Sequence, residues 1–378
     1  MARRVILHVG APKSGTSYLQ QILWNNLDRL AEDGITMPGN RRAHYQAMGS
    51  LRGGVWENPD APWTWDRLAA AVRDAEGTVL VSEEMLGAAT TEQAETAVRS
   101  LGDAEVHVVV AERDLWRTIP SAWQQSVRGR TVGTFTAFVD ALRTGANPGF
   151  WAHQFALPIL ERWGTLVPPE RQHVITVPAP GTARAELWTR FCVVLGVDPD
   201  GYDLDQTPGN PSLGAPETEL LRRLNLALGD EFPLSKPYLD VVRANLTLPV
   251  LMANSEPDKF GAPAHARDWV EQRSEAMVEA LEAHPCNVIG DLDDLRPPVT
   301  AETRAPDDYS TEELLDVAVH TMVGMLRHTD ARATKIRERA ETAEREVRRL
   351  ELQLAGGHTL RVARAVRERV RRARVDEA

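Results

Sequence analysis

The sequence predicts an α/β fold: a three-layer parallel sheet with flanking helices, a helical C-terminal extension and a short coiled-coil tail. Three observations predict it. Apolar, β-branched runs recur at residues 4–9, 78–82, 105–111 and 173–177, and continuous apolar runs of strand length mark strands buried on both faces, as in parallel sheets. Between them lie longer stretches of helical period rich in Ala, Leu and Arg, and strand–helix alternation implies a parallel sheet covered on both sides. The 378 residues, 43% apolar and 26% charged, have ordinary globular composition and suffice for one large domain or two smaller ones.

Taken in order, residues 4–9 form a first strand, a Gly/Pro/Ser loop follows, and residues 17–30 form an amphipathic helix. The strand at residues 173–177 is closed by Pro178 and Pro180. The sheet core is expected to end near Pro199, giving a core at residues 1–200. Residues 201–216 are a Gly/Pro/Asp-rich connection, and residues 217–228 read as a helix with Leu220, Leu221, Leu224 and Leu228 on one side. Residues 201–330 are thus expected to be a mostly helical cap of the same domain. In a tail at residues 331–378, Ile336, Ala340, Ala343, Val347, Leu350 and Leu354 step by four and three, the seam of a coiled coil suited to self-association. Gly356-Gly357 is expected to interrupt it. Beyond lies a segment with Leu360, Ala363, Val366, Val370 and seven arginines, either a contact for a partner or an anionic membrane surface, or a solvated helix.

The formal charge is −11, but residues 331–378 hold 14 basic and 8 acidic residues, a tail of +6 on a body of −17. An acidic body argues against broad nucleic-acid binding, which needs a basic face. Two distant cysteines, Cys192 and Cys286, make neither a disulfide framework nor a metal cluster and suit a reducing compartment. The apolar run at the start is cut short by Pro12 and Lys13, so no signal peptide is expected, and no stretch is apolar enough to span a bilayer. The expected location is cytoplasmic.

The most informative segment joins the first strand to the first helix: His8, Val9, Gly10, Ala11, then Pro12, Lys13, Ser14, Gly15, Thr16 and Ser17. Such a loop aims backbone N–H groups and the positive end of a helix at one anion. Gly10 and Gly15 have the spacing of the G-x-x-x-x-G-K-[ST] nucleotide loop, but Thr16 stands where that loop has its lysine, and the lysine is at Lys13. The segment resembles the 5'-phosphosulfate loop, P-K-[ST]-G-[ST]-[ST], of the sulfotransferase family. That resemblance implies a P-loop-like fold and 3'-phosphoadenosine 5'-phosphosulfate (PAPS) as co-substrate, with adenosine 3',5'-bisphosphate as product and no metal. It also implies that Lys13 holds the bridging oxygen of the leaving phosphate while Ser14, Gly15, Thr16 and Ser17 cradle the 5'-phosphate. The acceptor, a small molecule, lipid or glycan, is left open, and the alternatives are a P-loop phosphotransferase using ATP and magnesium, which Thr16 and the pair Arg113 and Ser121 disfavour, or a non-catalytic nucleotide-binding scaffold.

The resemblance further implies a 3'-phosphate site from an arginine at a strand end and a serine eight residues later, which Arg113 and Ser121 match; a guanidinium fork suits phosphate. Asp114 reads instead as a helix-start carboxylate. Gln125, Arg128 and Arg130 belong to a stretch that also looks like bacterial members, and a cationic helix end explains the arginines equally well. For the base that takes the acceptor's proton, the family places a glutamate after the strand at residues 78–82. Glu83 or Glu84 fits, only one of them entering the site, and the Ser-x-Glu form points to Glu84. His8 and His153 are further candidates, each with a structural role as its alternative. The cluster Trp151, His153 and Phe155 reads as an acceptor wall or as aromatic core packing. The late Arg-Lys-Gly loop of cytosolic members has no counterpart, and the segment Asn210, Pro211, Ser212, Leu213 and Gly214 or the pair Arg222 and Arg223 would have to replace it.

Overall fold

The computed structural model describes residues 2–54, 58–205, 213–232, 237–253, 259–298 and 304–375. Its centre is β1 (Ala2–Gly10), where Val5, Leu7 and Val9 point to one side and Ile6 and His8 to the other, all fully buried. A strand apolar on both sides can only be an inner strand. After β1, α1 (Thr16–Asn25) and α2 (Leu27–Glu32) lead to the short edge strand β2 (Ile35–Thr36), and α3 (Arg41–Arg52) and α4 (Trp65–Asp74) lead to β3 (Gly77–Ser82). Helix α5 (Thr91–Ser100) then crosses to β4 (Glu105–Glu112), and α6 (Leu115–Arg128), α7 (Phe135–Arg143), α8 (Pro148–His153) and α9 (Ala156–Trp163) precede β5 (Gln172–Thr176). The chain continues through α10 (Glu186–Leu195), α11 (Ala215–Ala227), α12 (Arg267–Ala283), β6 (Asn287–Ile289) and α13 (Thr311–Val375).

The six strands form one parallel sheet in the order β2-β3-β1-β4-β5-β6. On one face Val5, Leu7, Val79 and Val108 pack against Ile159, Leu160 and Trp163 of α9 and Val278 of α12. On the other, Ile6, Leu80 and Val109 meet Leu19 and Leu23 of α1 and Trp188 and Phe191 of α10. This is the three-layer α/β architecture expected from the sequence. A third apolar cluster stands beside the sheet, where α6, α7 and α8 meet α11, α12 and a π-helical segment at Tyr238–Thr247.

Three local expectations need correction. The helix at residues 17–30 is broken at Asn26, whose buried side chain donates to Ile22 O (2.8 Å) and Asp203 O (2.9 Å) and accepts from Asp203 N (2.7 Å). These bonds hold residues 201–205 against the helix and draw Asn26 out of helical geometry. The sheet does not end near Pro199, because β6 pairs with β5 from His173↔Asn287 to Ile175↔Ile289; three residues beginning with Asn carry too little pattern to be seen as a strand. Nor does Gly356-Gly357 stop α13, which runs as helix to Val375. Each glycine costs about 1 kcal/mol against alanine, and neighbouring Ala, Leu and Arg residues are good helix formers. Among the described residues no helix is long and apolar enough to cross a membrane.

Helix α6 is fixed by Trp123, which is fully buried and packs against Phe135 (5.1 Å between centroids) and Phe260 (5.9 Å) while its indole N–H donates to Gly133 O. Trp123→Ala is expected to destabilise the protein by about 3–5 kcal/mol, the range for emptying a large aromatic site, measured by urea unfolding followed by tryptophan fluorescence.

Candidate functional site

Three loops leave the C-terminal ends of β3, β1 and β4, which are neighbours in the sheet. The chain lays β2 and β3 on one side of β1 and β4 to β6 on the other, so this edge is a topological switch point, where open α/β sheets leave a crevice for a ligand.

The loop after β1 is tied to β4 by Ala11 N donating to Ala111 O (2.9 Å). Lys13 and Gly15 both adopt left-handed backbone, φ 68° and 84°. The backbone conformation favours glycine at Gly15, and a Cβ there would also lie 2.5 Å from Leu187 Cδ2 of α10, which would have to shift. Lys13 adopts a conformation that costs a non-glycine residue on the order of 1 kcal/mol, which the surrounding loop has to hold. Helix α1 starts at Thr16 with Gly15 as its cap and no side chain closing the N-terminus. Its first turn lies at the positive end of the helix and is not closed by a capping side chain, the setting in which helix starts receive anions.

After β3, the two glutamates part. The Glu84 carboxylate accepts the Thr16 hydroxyl and lies close enough to Lys13 to favour its charged form. Glu83 turns away: it is buried, accepts from Met85 N (3.2 Å) at the start of a short 3-10 turn, and has Arg41 and Arg52 as its nearest cations. Burial pushes Glu83 up to about 7, against the Met85 bond and with help from the negative Glu84. Geometry takes precedence over pKa in choosing a base, and geometry puts Glu84 at the loop.

After β4, Arg113 donates to Ser121 Oγ (2.8 Å) and to Arg117 O (2.7 Å). Asp114 caps α6 by accepting from Arg117 N (2.8 Å) and pairs with the Arg117 guanidinium, the helix-start role its position suggested. The far end of α6 brings Arg128 to Lys13. Lys13 is pushed down to about 8, first by burial and then by Arg128 and Arg113, with Glu84 opposing. Arg113 is pushed down to about 10 by burial. Both Arg113 Nε and Arg128 Nε are buried without a hydrogen-bond partner among the described residues. Two guanidinium groups thus act on the Lys13 ammonium, with Glu84 opposing them there and Asp114 beside Arg113, an arrangement that a multiply charged anion would relieve.

Other residues singled out from the sequence are used elsewhere. His8 is fully buried, with Nδ1 2.8 Å from Ser82 Oγ, its ring edge-on to Phe191, and a pKa pushed down to about 4 by burial. His153 stands near Arg162 and Arg52, and its pKa is lowered by burial and by these cations. Trp151 stacks on Phe155 (5.5 Å) and meets Trp269 (6.3 Å), a packing role. Arg130 donates to carbonyls of Phe232, Asn225 and Gly229 in the helical cap. Arg222 and Arg223 both bind buried Glu219. Gln125 is exposed on α6. Asn210, Pro211 and Ser212 lie outside the described residues. Arg41 and Arg52 beside Glu83 are not legible in the sequence, since they come from the two ends of α3 and meet it only through the fold.

Among the described residues no group of three or more His, Cys, Asp or Glu side chains is placed to hold a metal ion. Compared with protein-family models, curated proteins and solved structures, the chain matches none of them.

A buried, mutually repelling set of cations should cost stability while no anion is bound. Lys13→Met is expected to stabilise the ligand-free protein below pH 8 by about 1–2 kcal/mol, a rise in Tm of a few degrees. The sign follows from Lys13 having a folded pKa near 8 and an unfolded value near 10.5: the unfolded state binds more protons in that window, so the wild type gains stability as pH rises through it. The advantage of Lys13→Met should therefore shrink above pH 8, which thermal unfolding at several pH values checks.

Proposed function

We propose that the protein is a cytoplasmic sulfotransferase that moves a sulfuryl group from PAPS to a hydroxyl or amine of an acceptor, releasing adenosine 3',5'-bisphosphate. The observation that carries this reading is the convergence of Lys13, Arg113 and Arg128 beside the uncapped start of α1. The donor has two anionic ends, and two anion-binding elements support the match. Pro12, Lys13, Ser14, Gly15, Thr16 and Ser17 would receive the 5'-phosphosulfate, and Arg113 with Ser121, already hydrogen-bonded to each other, the 3'-phosphate.

In this reading an acceptor oxygen or nitrogen attacks sulfur in line as Glu84 takes its proton. The bond from sulfur to the bridging oxygen breaks, its electron pair stays on the departing phosphate, and the Lys13 ammonium and the loop amides stabilise that growing charge. Fixed positive charge in a partly desolvated loop is worth more there than in water, so the step can be written without a metal ion. Glu83 sits behind Glu84 with its own arginines and would act on the reaction through its neighbour. The Thr16 hydroxyl, which now donates to Glu84, is then a donor available to phosphate.

Calorimetric titration of the metal-free protein with adenosine 3',5'-bisphosphate tests the reading. Binding is expected, weakened about 10- to 100-fold in Lys13→Ala and in Arg113→Ala, as for lost charge-assisted hydrogen bonds. Affinity should also fall as pH rises through about 8, where Lys13 loses its proton, and Lys13→Ala should lose that dependence. Binding of ATP with magnesium in place of the bisphosphate, or of neither, would overturn it.

A further inference from the structure

Helix α13 leaves the body with one side covered and the other bare. Leu314 is buried, and Gly324 lies so close to the body that a Cβ would come 2.6 Å from Val250 Cγ1. About half a turn round the helix, Leu315, Val319, Met322 and Leu326 are 59%, 45%, 55% and 71% exposed. Their spacing of four, three and four continues without a slip through Thr329 and Ala333 into the seam that the sequence shows from Ile336 onward. Ile336, Val347 and Leu350 of that seam are exposed as well. The apolar stripe is therefore about five heptads long, and it starts where the helix still touches the body.

We propose that α13 pairs with α13 of a second copy of this chain as a parallel, in-register two-stranded coiled coil, with Leu315 to Leu350 as its seam. A 3.5-residue apolar period kept over this length is self-complementary, because each seam residue fills a hole between four residues of the facing helix. Burying an aliphatic side chain removes roughly 60–120 Å² of apolar surface from water. The seven large seam side chains of each copy would together bury on the order of 1,000 Å² or more, the scale of a stable interface. The body occupies the opposite side of α13, so two copies can join with their bodies facing outward.

Charge and apolar burial favour different orientations, and burial decides. In the parallel arrangement Arg339 faces Glu344 of the second copy, but Arg332 meets Arg337 and Glu346 meets Glu351. An antiparallel arrangement would match Arg339 with Glu346 and Arg337 with Glu344, while setting the stripe from Leu315 to Leu326 against the arginine-rich sequence beyond Gly357. Exposed ion pairs contribute little in water, whereas eight large apolar side chains, four from each copy, are buried in the parallel pair and not in this charge-matched antiparallel one.

Light scattering on the full chain after size-exclusion chromatography is expected to give twice the mass of one chain, and the double variant Met322→Glu/Leu326→Glu half of that. All ten tryptophans precede α13, so unchanged tryptophan fluorescence in the double variant reports an intact body. Thr329→Cys, at a seam position, should form a disulfide-linked dimer under mild oxidation while the wild type does not. A monomeric wild type, a dimer that survives the two glutamates, or a dimer in which Thr329→Cys stays unlinked would overturn the proposal. None of these readings depends on the sulfotransferase assignment.

Discussion

The site depends on one electrostatic constraint: Lys13 is held, largely out of water, near Arg113 and Arg128, with Glu84 opposing them at Lys13 and Asp114 beside Arg113. Like charges at short range in a medium less polar than water repel strongly, so the fold must supply rigidity at each attachment point. It does so with elements that have little freedom. Lys13 lies in a loop tied to β4 at Ala11 and closed at Gly15 by Leu187. Arg113 leaves the end of an inner strand, and Arg128 ends a helix anchored by the buried Trp123.

The parallel sheet explains why these pieces meet. β1 is flanked by β3 and β4, so the loops following all three strands emerge on one edge although Lys13 is 71 residues from Glu84 and 100 from Arg113 in the chain. The two glutamates show how finely this edge sorts neighbours. Glu84 faces the loop through Thr16, and Glu83 turns to Arg41 and Arg52 and to its own helical turn. Two adjacent carboxylates thus have different surroundings, and only one of them shares space with Lys13.

Much of this was legible in the sequence because its signals are local. The four long strands are continuous apolar runs, the loop at Pro12 to Ser17 sits between a strand and a helix, and Arg113 and Ser121 are only eight residues apart and do meet. What stayed hidden depends on tertiary contacts. The break at Asn26 needs Asp203, β6 needs β5 as its template, and the burial of His8 and the packing of Trp151 are properties of neighbours far along the chain. The glycine pair at 356–357 misleads for the opposite reason, since a local preference is small against a helix of 65 residues.

The most direct measurement is a crystal structure of the protein with adenosine 3',5'-bisphosphate. The 5'-phosphate is expected against the loop at residues 11–17, within hydrogen-bond reach of Lys13, and the 3'-phosphate at Arg113 and Ser121. A nucleotide bound away from this edge, or bound here with neither phosphate touching Lys13 or Arg113, would contradict it.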